Sequence, residues 1–336
     1  MRFFDPRRLM QAFACAALLL PITASAQTLC IWDPMGAQGD GFNTMKDYLL
    51  PARSWAPGIN ITLRPYTDER VAAEDFKAGQ CDGVLITGLR ARQFNQFVGS
   101  IDSIGSIPSY THMRDVVDLL ANPKLASNMV SGQYEVAGAM PIGAGYFFVN
   151  DRSINELSKA AGKRIAVFDW DKSQAEMVKM VGAQPVSADV TTFAGKFNNG
   201  QVDIVVAPIF AYKPMELYKG LGTKGAIARF PVIQITFQLV IHKDKFPPGF
   251  GQKSRQYIAT QVPRFFGMIR NTEREVDSKY WMHVPLSDRG GYEKIMRELR
   301  IHLTKAGFYD KRMMTLLKRV RCKREPDAAE CSLKDE

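Results

Sequence analysis

Short apolar runs alternate with amphipathic stretches along this chain, and one such pattern occurs twice. Residues 79–86 (GQCDGVLI) and 200–207 (GQVDIVVA) both read Gly-Gln-x-Asp followed by apolar positions. In each copy the glycine is typical of the residue that ends a helix, and the apolar run after it predicts a buried strand. The repetition therefore predicts two units built in the same way.

The residues before each copy predict the same order of elements. The first unit has a strand at Leu29–Trp32, then a helical stretch, a second strand at Ile59–Pro65 and a second helix at Glu69–Ala78. In the second unit they are strands at Arg164–Trp170 and Pro185–Val186, and helices at Ser173–Val181 and Thr191–Asn198. Two β-α-β-α-β units predict an α/β protein whose two lobes face a cleft.

Two further apolar segments predict strands that cross between the lobes. They are residues 146–150 and Pro231–His242, and together they would form a hinge. Helical patterns follow at Lys253–Met268, Gly290–Lys305 and Asp310–Arg319. The predicted division is a first lobe at 27–140 plus 240–320 with the C-terminal helices, a second lobe at 141–239, and a polar tail at 321–336.

The N-terminal residues 1–26 predict a secretory signal peptide. Arg2, Arg7 and Arg8 precede a mostly apolar stretch at 10–20, and Ala24-Ser25-Ala26 matches a cleavage site. No later segment approaches the ~20 apolar residues of a membrane span. The formal charge of +10 is spread along the chain except at 305–324, which favours solubility over nucleic-acid binding. We therefore expect a periplasmic protein that binds no nucleic acid.

Four cysteines follow the signal peptide, and an even number in an exported chain favours disulfides. Cys30 and Cys81 begin two strands that are neighbours in an α/β lobe of this order, so a Cys30–Cys81 bond is expected. Cys322 and Cys331 would close a small loop in the tail. A zinc site is the weaker alternative, because the chain has no Cys-x-x-Cys and its four histidines are scattered.

The carboxyl ends of the predicted strands mark the candidate ligand site, because ligands of parallel α/β sheets bind there. The residues singled out at these ends and at the crossing strand are Trp32, Asp33, Arg90, Arg92, Tyr146, Asp169, Trp170, Phe210 and Tyr212. Thr87, Leu89, Phe168 and Pro208 lie at the same ends. Such a set of aromatic residues with few charges suits a cleft that encloses a small organic molecule.

Each of these residues also has a plainer interpretation. An aromatic residue at a strand end often packs within its own lobe, and Tyr146 could pack at the hinge. Arg90 and Arg92 could pair with a ligand carboxylate or lie on a solvated surface. Ser173-Gln174-Ala175-Glu176 matches a capping box, which predicts a helix start near Ser173. The first N–H groups of this helix could hold an anion, or the cap simply satisfies them.

Signatures of enzymes are missing from the sequence. There is no Gly-x-Ser-x-Gly nucleophile motif and no glycine-rich phosphate loop. Apart from His242, the last residue of the second crossing strand, no histidine falls near a predicted strand end, and the acidic residues there are a weak sign of hydrolysis. We therefore predict no catalytic residues, no cofactor and no metal.

Three stretches in order resemble the solute-binding subunits of TRAP (tripartite ATP-independent periplasmic) transporters. They are Ala161–Val167 (AGKRIAV), Gly182–Val186 (GAQPV) and Phe197–Asp203 (FNNGQVD). The resemblance implies a two-lobe fold like that of type II periplasmic binding proteins. It also implies a receptor that closes over a small organic solute and delivers it to a membrane permease. A sensor or interaction partner in the envelope, with the basic segment 305–324 as its contact surface, is the alternative; an enzyme on the same scaffold is a weaker one.

The sequence departs from this family at the residue that matters most for ligand choice. The position matching Ala166 is typically an arginine that binds the substrate carboxylate. Arg164 lies two residues earlier, on the same side of the strand, but further from the strand end. The departure puts an organic acid in question as the ligand and leaves Arg90, Arg92 and Arg164 as the candidates to replace the missing arginine.

Overall fold

In the computed structural model, residues 26–336 are described, so nearly all of the predicted signal peptide lies outside the described residues. The strands are β1 (Gln27–Trp32), β2 (Ile61–Tyr66), β3 (Gly83–Thr87), β4 (Val130–Ser131), β5 (Tyr134–Val149), β6 (Arg164–Phe168), β7 (Gln184–Ala188), β8 (Ile204–Pro208), β9 (Ala226–Ala228), β10 (Ile233–His242) and β11 (Trp281–Met282). The helices are α1 (Asp40–Trp55), α2 (Glu69–Lys77), α3 (Gly88–Ala91), α4 (Gln96–Gly99), α5 (Tyr110–Leu120), α6 (Lys172–Met180), α7 (Phe193–Asn198), α8 (Tyr218–Leu221), α9 (Phe250–Arg274), α10 (Leu286–Lys305) and α11 (Lys311–Arg324).

One sheet runs through both lobes in the order β2-β1-β3-β10-β5-β8-β6-β7. The three strands of the first lobe are parallel to one another, and so are the three strands of the second. The antiparallel pair β10 and β5 lies between the two parallel groups. The predicted two-lobe α/β fold with two crossing strands is therefore confirmed.

The two crossing strands are irregular where they pass between the lobes. Tyr134–Gly145 of β5 pairs with β10, whereas Gly145–Val149 pairs with β8 of the second lobe. The pairing shifts by one residue between Ile235 and Thr236, which leaves Ile142 without a partner in β10. Such a β-bulge bends the strand. It places the bend of β5 at the boundary of the two lobes.

Carboxylates that accept backbone N–H groups set the starts of several helices. Asp68 accepts the N–H groups of Arg70 and Val71 at the start of α2. Asp171 accepts the N–H of Ser173, so α6 begins at Lys172. The helix predicted to start near Ser173 is present, but its cap is Asp171, and the Ser173 hydroxyl donates to that cap. An aspartate at this position satisfies an otherwise unpaired N–H group.

The buried apolar residues form three clusters. The largest core joins β1, β3 and β10 to helices α1, α2, α5 and α9 in the first lobe. Two smaller cores fill the second lobe around Phe148, Phe197 and Val178. The largest core also includes Met177 and Val190 of the second lobe, so apolar side chains of the two lobes are in contact where the lobes meet.

The segment after α9 departs from the predicted lobe boundaries. Trp281–Met282 (β11) pairs with β9, which in turn pairs with the second-lobe half of β5. Helix α10 then packs on α6 of the second lobe, and α11 packs on α5 of the first. Assigning all of 240–320 to the first lobe is therefore wrong, because β9 offers an edge to which β11 adds. The other boundaries stay a prediction.

The C-terminal residues are held by more than a disulfide. Cys30 is bonded to Cys81 and Cys322 to Cys331, with Cα–Cα distances of 5.9 and 5.6 Å, and these are the pairs that the sequence predicted. In addition, the fully buried carboxylate of Glu336 lies 2.7 Å from Nε of Arg300 and 2.9 Å from a guanidinium nitrogen of Arg321. The segment predicted as a polar tail is thus docked on two buried arginines.

Candidate functional site

A cavity of about 90 Å³ lies between the two lobes, at the carboxyl ends of the strands. The first lobe and the crossing strands contribute Trp32, Thr87, Leu89, Ile104, Ile142, Val232, Ile233 and Ile235. The second lobe contributes Ile165, Ala166, Val167, Phe168, Asp171, Ser173, Gln174, Met177, Val178, Val190, Phe193, Val206, Pro208, Phe210, Ala211 and Met215. Most of these side chains are apolar, so the cavity resembles the interior of a lobe more than a solvated cleft.

The four polar side chains of the lining are hydrogen-bonded to the protein itself. The hydroxyl of Thr87 donates to Oε1 of Glu69 at 2.5 Å. The hydroxyl of Ser173 donates to Oδ1 of Asp171 at 2.5 Å. Oε1 of Gln174 accepts the N–H of Phe168 at 2.9 Å. These groups already have partners in the structure before any ligand is considered.

Trp32 and Phe210 are the two sequence-predicted site residues that line this cavity. Both rings meet Phe237 of β10 edge to face, each with its centroid 5.6 Å from that of Phe237. Trp32 is almost fully buried, and its Nε1 donates to the carbonyl of Thr67 at 3.2 Å. Phe237 therefore holds two rings of the cavity, one from each lobe, against the hinge.

The two acidic residues predicted for the site do not line the cavity. Asp33 is fully buried and accepts the N–H groups of Met35 and Gly41 at 2.8 Å, which fixes the start of α1. Burial raises the pKa of Asp33, against the lowering effect of these hydrogen bonds. Asp169 is exposed and accepts the hydroxyl of Ser187 at 2.7 Å. Their positions at strand ends are as predicted, but their side chains serve local structure.

Arg90 is buried and paired within the first lobe. Its Nε donates to Oε2 of Glu69 at 2.9 Å, and its guanidinium lies 4.2 Å from the ring centroid of Trp170 in the second lobe. Burial raises the pKa of Glu69, although the Arg90 charge opposes this. Trp170, another predicted site residue, stacks on Phe168 with centroids 5.4 Å apart. Both predicted residues therefore lie where the lobes meet, beside the cavity.

Arg92 is also buried and makes the second polar contact between the lobes. Its guanidinium donates to the carbonyls of Gly99 and Asp102, at 3.3 and 3.1 Å. The same group lies 3.7 Å from Oδ1 of Asp171 in the second lobe. The Arg90–Trp170 and Arg92–Asp171 contacts are called the closure contacts below. They use the two arginines that the sequence offered for a ligand carboxylate.

The remaining predicted residues, Tyr146 and Tyr212, lie away from the cavity. The Tyr146 hydroxyl donates to Oε1 of Glu273 at 2.9 Å, beside Trp281, and burial raises its pKa. Tyr212 is buried in the core of the second lobe near Phe148. Tyr146 thus packs at the hinge, the alternative that the sequence left open.

Other cavity residues could be found from the sequence only in part. Thr87, Leu89, Phe168 and Pro208 carried the strand-end signal. Ile142 reaches the lining through the bulge, and Met215 through an irregular segment after β8. Neither feature has a periodic signal in the sequence.

Comparison with known proteins identifies the family. A family model described as "Solute-binding protein AdeT 1/2" matches residues 52–336. The chain belongs to the AdeT 1/2 solute-binding proteins. It is 54% identical over 306 residues to "Probable solute-binding protein AdeT1" of Acinetobacter baumannii, covering 91% of this chain and 100% of that protein. "Probable solute-binding protein AdeT2" of the same organism is 27% identical over 236 residues, 70% of this chain and 99% of that one.

Solved TRAP periplasmic solute-binding proteins share the fold of this AdeT 1/2 family member. The protein of Haemophilus influenzae RdAW with bound L-gulonate has a TM-score of 0.73 at 11% identity, covering 88% of this chain and 99% of that one. The protein of Desulfovibrio salexigens with bound orotic acid has a TM-score of 0.72 at 15% identity, covering 89% and 98%. At this identity the likeness concerns the fold alone.

Proposed function

We propose that the chain is a periplasmic receptor that encloses a small organic solute between its lobes and delivers it to a membrane permease. The observation that carries this proposal is the cavity at the strand ends of both lobes, in a member of a solute-binding family. The predicted signal peptide supports export. Within residues 26–336, no helix combines the length and apolar character of a membrane span.

Closure of the lobes is the step that would couple binding to delivery. A ligand shifts an open–closed equilibrium only by its differential affinity for the two states. A solute in this cavity touches both lobes only when they are closed, so it favours the closed state. The bulge at Ile142 in β5 is a place where the crossing strands can bend.

Native mass spectrometry of the chain purified gently from the periplasm tests the receptor function. We expect a small molecule bound at one copy per chain and released on mild unfolding. Small-angle scattering should then give a larger radius of gyration for the stripped protein than for the loaded one. Absence of any bound molecule, together with scattering that no candidate solute changes, would contradict the receptor function.

A further inference from the structure

The cavity between the lobes has no cationic side chain in its lining, counted over the described residues. Ala166 lines the cavity on strand β6, where an arginine would have offered a cation. The one charged group of the lining is the carboxylate of Asp171. The lining is therefore apolar, and its charge has the same sign as an organic acid.

The three arginines nearest in sequence to the strand ends are occupied by protein groups. Arg90 is paired with Glu69, and Arg92 donates to two carbonyls and lies 3.7 Å from Asp171. Arg164 contacts both oxygens of Asp203, at 3.1 and 2.8 Å, at the amino end of β6. Asp203 is held ionised by this pairing, which lowers its pKa to about 2. None of the three lines the cavity.

A carboxylate that entered this cavity would lose its hydration without gaining a counter-charge. Burying an ion is unfavourable unless it is paired and hydrogen-bonded. The partnered hydroxyls of Thr87 and Ser173 would have to give up existing bonds to Glu69 and Asp171 to serve an anion. An uncharged molecule avoids this penalty and gains from burying its apolar surface against Trp32, Phe168 and Phe210.

We infer that the cavity binds an uncharged, largely apolar small molecule rather than an organic acid. This inference rests on the proposed receptor function and names the chemical class of its ligand. The cavity of about 90 Å³ is smaller than the roughly 150 Å³ that holds a benzene molecule in an engineered protein core. The lobes must therefore stand slightly further apart around a bound ligand of this size than they do in this structure.

Benzamide and benzoate form a matched pair of probes, because they have nearly the same shape and differ in charge at neutral pH. Titration calorimetry of the mature chain should give a benzamide affinity at least about tenfold above that of benzoate. Scattering in the same samples reports closure. Preferential binding of benzoate with closure would overturn the ligand class and leave the receptor function intact. Binding of benzamide without closure would support the ligand class and overturn the receptor function. If neither probe binds, the ligand class is overturned.

A charge placed in the cavity provides a second test. Ala166→Arg adds a cation to the lining, and Gln184→Arg adds the same charge at an exposed position of the neighbouring strand β7. We expect Ala166→Arg to reduce benzamide affinity and raise benzoate affinity, while Gln184→Arg leaves both unchanged. Circular dichroism and thermal melting confirm that each variant is folded. An unchanged preference in folded Ala166→Arg would contradict the assignment of binding to this cavity.

Discussion

At the scale of single residues, Asp102 is a buried carboxylate whose protonation affects stability. Its oxygens accept the N–H and the hydroxyl of Thr236 on β10, at 2.9 and 2.7 Å. Burial nevertheless raises its pKa from 3.8 to about 7. Between these two values the folded state holds a proton that the unfolded state has lost. The contribution of Asp102 to the free energy of unfolding is therefore largest below pH 4, and it falls as the pH rises towards 7.

Asp102→Asn should remove this pH dependence. As the pH rises from ~4 to ~7, the free energy of unfolding of the variant should increase relative to that of the native chain by up to about 4 kcal/mol, measured by urea unfolding. Asp203→Asn is the matched control, since the Asp203 pKa of about 2 lies below this range. Its stability difference from the native chain should be constant there. A constant difference for Asp102→Asn as well would show that Asp102 stays ionised.

The residues of the site were predictable from sequence only where position along a strand decides their place. Trp32 and Phe210 follow apolar strands, and strand ends of both lobes meet at the cavity. The partners of Arg90 and Asp33 were not predictable, because Glu69 and Gly41 reach them through tertiary packing. A charged side chain near a cleft gives no sign in the sequence of whether the protein itself neutralises it.

At the scale of elements, Gly143 marks the bend in crossing strand β5. Its φ is +117°, a region that L residues rarely adopt, and it directly follows the unpaired Ile142. A Cβ added there would lie 3.4 Å from Cγ2 of Ile269, an ordinary contact distance, so the cost lies in the backbone conformation. We expect Gly143→Ala to lower the free energy of unfolding by about 1–3 kcal/mol, measured by urea denaturation.

Gly267→Ala provides the comparison for this prediction. Gly267 lies within helix α9, and a Cβ there would meet no atom within 4 Å. Alanine favours a helix over glycine by roughly 1 kcal/mol, so this variant should gain stability. Equal stability of Gly143→Ala and the native chain would mean that the bulge adjusts without strain.

Elements with a strong apolar pattern were predicted well, and those with small residues were not. The strand predicted at Leu29–Trp32 is β1, which begins two residues earlier at Gln27. Crossing strand β5 extends from Tyr134, although the apolar pattern predicted it only over 146–150. The part before Gly145 contains Ala137, Gly138 and Gly143, which have low strand propensity. Pairing with β10 determines this part, and pairing is a tertiary effect.

At the scale of the whole molecule, the closure contacts join groups that each lobe already holds in place. Glu69 fixes Arg90 within the first lobe, and the carbonyls of Gly99 and Asp102 fix Arg92. Because these side chains are ordered before the lobes meet, their contacts with the second lobe lose little conformational entropy on closure. The two arginines therefore favour closure of the lobes without binding a ligand.

Trp170→Ala should shift the protein towards the open state. The variant loses the stack of Arg90 on the indole, an interaction worth about 1–2 kcal/mol when partly desolvated. We expect a larger radius of gyration by small-angle scattering without ligand, and a smaller increase for Trp170→Phe, which keeps a ring. Tyr218→Ala is the control, since Tyr218 packs near Tyr212 within the second lobe. If Trp170→Ala scatters like the native chain while Tyr218→Ala does too, the Arg90–Trp170 contact does not contribute to closure.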